Sequence, residues 1–182
     1  MKKSLFRFTM IVPLALLFCF ALSCQQQGED ASNEEELREI VLRVVEEAWN
    51  QGKMEVLDEH FATAYVYHRS PFPDIEGLEA YKQFIADSRN AFPDLKTTIE
   101  EMIIKGDIAV VRGTLRGTNT GESLLLGIPA TGKQVTFKWC SVSHHMNGKT
   151  TEEWNYVDWL GFMQQLGFTL TPPQPAAPQE KK

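Results

Sequence analysis

The chain has 182 residues, with 18 Lys and Arg against 24 Asp and Glu, a net charge of −6 at pH 7. That sign argues against a nucleic-acid partner and against direct adhesion to anionic lipid. Of three cysteines, Cys19 and Cys24 fall in or at the end of an apolar leader. Cys140 alone remains, which excludes a disulfide framework and a cysteine metal centre.

Lys2, Lys3 and Arg7 precede an apolar run from Phe8 to Leu22, a basic n-region with an h-region too short to span a bilayer comfortably. The run ends in Ala21-Leu22-Ser23-Cys24. This resembles the lipobox of bacterial lipoproteins, which implies diacylation of the Cys24 thiol and anchoring of an exported protein to the cell envelope. Residues 1–23 are thus read as a lipoprotein signal peptide and 24–32 as a polar tether. A domain follows over 33–170, and residues 171–182 read as a disordered Pro-rich tail.

Leu37, Ile40, Val41, Val44, Val45, Ala48 and Trp49 fall on one face at helical spacing, and Gly52 follows the last turn. The pattern predicts a long first helix. A short helical piece, Val56 to Phe61, leads to the alternating Tyr65-Val66-Tyr67-His68, a short strand before Pro71 and Pro73. Tyr81, Phe84, Ile85 and Ser88 mark a further helix stopped before Pro93. Thr97–Ile104 and Ile108–Thr118 read as strands about a Lys105-Gly106-Asp107 turn. The stretch from Gly117 to Gly132 is long for a simple turn. Gln134–Met146 and Lys149–Tyr156 form a hairpin about Asn147-Gly148, the preferred type I′ pair. Trp159 to Leu166 gives a last helix ended by Gly167. Helices followed by a run of antiparallel strands mean α+β, a curved sheet wrapped around a long N-terminal helix with a pocket inside.

Phe92-Pro93-Asp94-Leu95, Gly106-Asp107, Gly117-Thr118, Gly127 to Lys133, Asn147-Gly148-Lys149, Glu153-Trp154, Asp158 and Gln165-Leu166-Gly167 occur in one order and spacing. This order is similar to that of the SnoaL-like polyketide cyclases, also called ester cyclases, over roughly Glu36 to Gly167. The resemblance implies the cone-shaped NTF2-like fold. It also implies aldol ring closure by a carboxylate, with no metal or organic cofactor. The substrate class would be a small apolar or carbonyl-containing compound. Dimerisation through the open sheet face is common in the fold, so a homodimer is a further expectation.

By the same resemblance the acid/base carboxylate matches Asp158, with His144 on the preceding strand polarising a carbonyl oxygen. Residues 154, 156 and 158 share one parity, so Trp154 and Tyr156 are expected to flank Asp158 and desolvate it. The competing reading makes Asp158 the cap of the helix that starts at Trp159. An unbroken ladder from Met146 and Lys149 sets Ser141 opposite Trp154, and then His145, not His144, shares the face of Asp158. A bulge would change that. His145 therefore stands as the rival and as a substrate-binding candidate, with His68 at the pocket mouth. Asn119 stands where the family's Gly-Thr-His motif has histidine, and joins the candidates lining the pocket. The four histidines show no His-x-His or His-Glu-x-x-His spacing, so a zinc site is rejected. A non-catalytic ligand-binding domain is the alternative function, and a scaffold with a pocket plugged by Trp139, Trp154 and Phe162 is a third.

Overall fold

A computed structural model of the chain describes residues 32–169. The leader, most of the tether with Cys24, and the tail lie outside the described residues. The apolar stripe forms α1, α-helical over 32–43 and wound as a π-helix over Val44–Asn50. Gly52, at a φ of 77° that favours glycine, ends it. α2 (Glu55–His60) leads into β1 (Phe61–His68), which starts four residues earlier than the alternation alone suggests. The two-residue β2 (Ile75–Glu76) and α3 (Leu78–Ala91) follow. Then come β3 (Lys96–Lys105), β4 (Ile108–Thr118), β5 (Gln134–Met146), β6 (Lys149–Val157) and α4 (Trp159–Gln165).

The six strands form one sheet in the order β2-β1-β6-β5-β4-β3. One pairing departs from the expected antiparallel run: β1 lies parallel to β6, with Phe61 against Thr150 and His68 against Trp154. Both strands enter the sheet from the same end, β1 from α2 and β6 from the Asn147-Gly148 turn. The remaining ladders are antiparallel.

The sheet curves around α1 and buries three apolar clusters. Phe61, Tyr65, Tyr67, Tyr81 and Phe84 join Val44 and Ala48 in the first. Phe92, Leu95, Val135 and Phe162 join α3, the sheet and α4 in the second. Leu37, Ile104, Ala109 and Val111 close the far end in the third. Each buried aromatic contributes about 1.5–3 kcal/mol of transfer free energy, so the domain is held by packing. Gly113 is required by the curvature: a Cβ there would sit 2.5 Å from the Thr98 carbonyl and 2.6 Å from the Trp139 ring. The long 119–132 connection is ordered by Asn119, which is fully buried. Its Nδ2 donates to the carbonyls of Ala91 and Gly121, and its Oδ1 accepts from the amide and hydroxyl of Thr131.

The β5–β6 hairpin carries the register that decides the site. Met146 pairs with Lys149 and His145 with Thr150, as the two-residue turn demands. His144 then pairs with Glu152, so Thr151 is an extra residue bulged out of β6. Beyond it Ser143 faces Glu153, Ser141 faces Asn155 and Trp139 faces Val157. The expected pairing of Ser141 with Trp154 is corrected by one residue, and every β6 side chain past the bulge changes face.

Candidate functional site

Between α1 and the concave side of the sheet lies a cavity of about 140 Å³. One wall is apolar: Ile40, Val41, Val44, Val45 and Trp49 of α1 project into it, with Leu115, Phe137 and Phe162 beyond. The opposite wall carries the polar groups. Ser141, Ser143 and His145 of β5 and Glu153 and Asn155 of β6 all face inward, because alternate residues of a strand share a face. An apolar cavity with a few converging polar groups is the expected form of a small-molecule site.

Glu153 is the chemically distinctive group. It is half-buried, and its carboxyl meets the cavity rather than bulk water. Desolvation pushes its pKa up to about 7, against which the Tyr65 and Ser141 hydroxyls pull down more weakly. The Tyr65 hydroxyl donates to Glu153 Oε2 at 3.1 Å, and Tyr65 is itself fully buried. Burial likewise raises the phenols of Tyr65, Tyr67 and Tyr81 well above the usual tyrosine range, so all three stay neutral donors. A carboxyl that titrates near neutrality can both accept and return a proton at physiological pH.

His145 lines the same cavity two residues along β5 from Ser143. Its Nε2 lies 2.9 Å from Ser143 Oγ and its Nδ1 lies 3.2 Å from Thr150 Oγ1. Burial lowers its pKa to about 4, so the ring is neutral at neutral pH. It is held as a dipolar group, one nitrogen donating and one accepting.

Arg69 enters from the end of β1. It is only 9 % exposed. Its Nε donates to the Pro73 carbonyl at 3.1 Å, and its guanidinium carbon lies 5.4 and 5.1 Å from the ring centres of Phe72 and Phe84.

The structure separates the expected site residues into two groups. His145 faces the cavity. Asp158, Trp154, Tyr156 and His144 do not line it: the Thr151 bulge turns the three β6-side residues outward, and His144 points out because its β5 neighbours Ser143 and His145 point in. Asp158 is exposed and caps α4, its Oδ1 accepting from the Gly161 amide at 2.9 Å. Trp154 packs on the outer face between His68, stacked at 4.8 Å, and His144, edge-on at 5.0 Å. Tyr156 is 57 % exposed. His68 bridges Asp74 and Glu152, each at 2.8 Å, outside the cavity. Burial lowers its pKa, but the two carboxylates together outweigh that and raise it. Asn119 is a loop hub away from the lining. Of the three side chains expected to plug the pocket, Trp139 and Phe162 line it and Trp154 lies outside, and the cavity stays open.

Glu153, Tyr65, Arg69, Ser141, Ser143 and Asn155 were not singled out as site residues from the sequence. One signal for the first was present: Glu152-Glu153 on an amphipathic strand forces one carboxylate inward whatever the register. Among the described residues no three His, Cys, Asp or Glu side chains converge as a metal site would require.

The SnoaL-like polyketide cyclase family matches residues 39–166, most of the chain. Aklanonic acid methyl ester cyclase DauD of Streptomyces sp. (strain C5) is 28% identical over 136 residues, covering 71% of this chain and 80% of that protein. The corresponding cyclase DnrD of Streptomyces peucetius is 28% identical over 133 residues, covering 71% and 89%. Among solved structures, a SnoaL-like protein from Jannaschia sp. CCS1 superposes with a TM-score of 0.68 at 27% identity, covering 77% of this chain and 95% of that one. TsrD from Streptomyces laurentii gives 0.65 at 26%, covering 73% and 96%. The matched span contains most of α1, all six strands and all of α4, so the cavity described above lies wholly within it, and the chain belongs to the SnoaL-like polyketide cyclase family.

Proposed function

We propose that the protein is a cofactor-independent acid/base enzyme acting on a small carbonyl compound, by aldol cyclisation or isomerisation, with Glu153 as the acid/base. The observation that carries this reading is a single one: an enclosed carboxyl, raised to about 7, on the polar wall of an apolar cavity. Ionised Glu153 takes a proton from the carbon next to a carbonyl, and the C–H electron pair becomes the enolate. The enolate carbon attacks a second carbonyl within the substrate, or is reprotonated at a different carbon. The protonated carboxyl returns its proton to the new alkoxide or to that carbon, restoring Glu153. Neutral His145 and the Ser141, Ser143 and Asn155 side chains supply hydrogen bonds to the carbonyl oxygen as charge develops on it.

The relatives named as aklanonic acid methyl ester cyclases support ring closure as the reaction class. The cavity argues for a small substrate: about 140 Å³ is close to the volume of roughly 150 Å³ known to hold a benzene ring. The earlier candidates Asp158 and His144 do not share this environment and are replaced in the proposal by Glu153 and His145.

The test is deuterium exchange from D2O into the carbon next to the carbonyl, followed by proton NMR on a panel of small ketones and β-keto esters. Exchange that rises with pH about a midpoint near 7, and is lost in Glu153→Gln but kept in Asp158→Asn, is expected. Ligand binding without exchange in the wild type would favour the alternative, a ligand-binding domain. Export and anchoring through Cys24 are a separate proposal resting on the leader residues. Labelled palmitate is expected to be incorporated by the wild type in cells and not by Cys24→Ser; an unlabelled wild type would overturn it.

A further inference from the structure

Arg69 presents an unbalanced charge. Among the described residues its Nη1 is the one buried side-chain polar atom without a hydrogen-bond partner. No carboxylate lies within ion-pair distance of the guanidinium in the described structure, although the chain is acidic overall and ten close Lys– or Arg–carboxylate contacts occur among the described residues. The side chain lines the cavity. An arginine stays protonated even when desolvated, because its intrinsic pKa is far above neutrality. A buried cation left unpaired is costly, and such groups normally meet an anion.

The surroundings hold the group ready. The bond from Nε to the Pro73 carbonyl and the Phe72 and Phe84 rings fix the guanidinium plane. Trp159, which lines the same cavity, donates from Nε1 to the Ser70 carbonyl at 2.9 Å and so ties α4 to the segment that carries Arg69. The one carboxylic acid on the cavity wall is Glu153, and it forms no ion pair with the guanidinium; its carboxyl accepts from the Tyr65 hydroxyl instead. The protein therefore does not supply the counter-ion itself.

We propose that the ligand supplies it: the substrate is a small oxo acid whose carboxylate seats on Arg69 while its acidic C–H is presented to Glu153. This rests on reading the cavity as the site of a carbonyl substrate. A carboxylate fits better than a phosphate monoester. One partly free guanidinium with no second cation at the cavity matches a single planar negative charge, whereas a doubly charged phosphate calls for several donors. Binding at Arg69 also orients the substrate, because the guanidinium is the one cation on a cavity wall whose other polar groups are neutral hydroxyl, amide and imidazole groups and the Glu153 carboxyl.

Isothermal titration calorimetry on the full chain near pH 6, where Glu153 is protonated, tests the claim with benzoate, its neutral isostere benzamide, and phenyl phosphate. None of these probes can react, so the result is independent of any catalysis by Glu153. Benzoate is expected to bind the wild type roughly tenfold or more tightly than benzamide, the value of one charge-assisted hydrogen bond. Arg69→Met should abolish that preference, and Arg69→Lys should keep part of it. Arg112→Met, which removes a surface cation, should leave it intact. Equal binding of benzoate and benzamide, or no binding of benzoate to the wild type, overturns the proposal even if Arg69→Met fails to fold. Tighter binding of phenyl phosphate than of benzoate overturns the carboxylate assignment. If the preference holds and deuterium exchange is absent, the acid/base reading fails and the carboxylate site stands.

Discussion

The two faces of the β5–β6 hairpin use similar residues for different ends. On the inner face Glu153 and His145 sit in a cavity walled by α1, and burial shifts them in opposite charge-removing directions, to about 7 and about 4. On the outer face Glu152 and His68 lie 2.8 Å apart, and carboxylate neighbours raise the histidine instead. His144 and His145 are adjacent in sequence, yet one is exposed against Trp154 and the other is enclosed. Residue type therefore says little here about chemistry. The strand period of two decides which histidine of β5 meets the cavity, and the same period offset by the single bulged Thr151 decides which carboxylate of β6 does.

The contrast is broken most severely by exchanging acids for amides on each face. Glu153→Gln is expected to lower turnover about 10²–10⁴-fold, the usual contribution of a positioned acid/base. Glu152→Gln, one residue away, should leave turnover unchanged in the same assay. A loss in the outer variant and none in the inner one would invert the assignment. Packing behind the inner face comes next. Gly113→Ala would drive a methyl group into the Thr98 carbonyl and the Trp139 ring, and should cost about 1–3 kcal/mol in denaturant unfolding.

The histidine pair separates by stability. His145→Leu leaves the Ser143 and Thr150 hydroxyls without their ring partner inside the protein and should cost about 1–3 kcal/mol. His144→Leu, on the exposed face, should stay within about 0.5 kcal/mol. Smallest is the helix cap: Asp158→Ala should lose about 1 kcal/mol while keeping activity, and Asp158→Asn should keep both.

The inner pair also gives opposed pH dependences. Glu153 holds its proton more tightly when folded, so its stabilisation is fully present below 4.5 and is lost as pH rises towards 7. His145 binds its proton less tightly when folded, so its contribution is present above 6.5 and is lost as pH falls towards 4. The two slopes partly cancel between those limits. In urea unfolding across this range, Glu153→Gln should expose a stability that climbs with pH. A slope unchanged from the wild type would mean that Glu153 titrates normally.

Much of this architecture was legible from residue pattern. The apolar stripe of α1, the limits of β4 and β5 and the Asn147-Gly148 turn follow from periodicity and turn chemistry, which are local. The parallel pairing of β1 with β6 is not local, since it joins residues 86 to 89 positions apart. The site was less legible for one physical reason. Thr151 has no feature that marks it as bulged, and a single extra residue moves Trp154, Tyr156 and Asp158 away from the cavity and Glu153 into it. Arg69 was silent because its segment, between a strand end and Pro71, has no periodicity from which an inward direction could be read.

The central claim is that the enclosed carboxyl of Glu153 is the acid/base of the cavity. Carbon-13 NMR of glutamate-labelled protein, titrated from pH 3 to 9 with Glu153→Gln to assign the resonance, tests it most directly. The account requires a midpoint near 7 that disappears with the variant. A midpoint at or below the ordinary glutamate value of about 4.3 would show a solvated carboxylate and would contradict it.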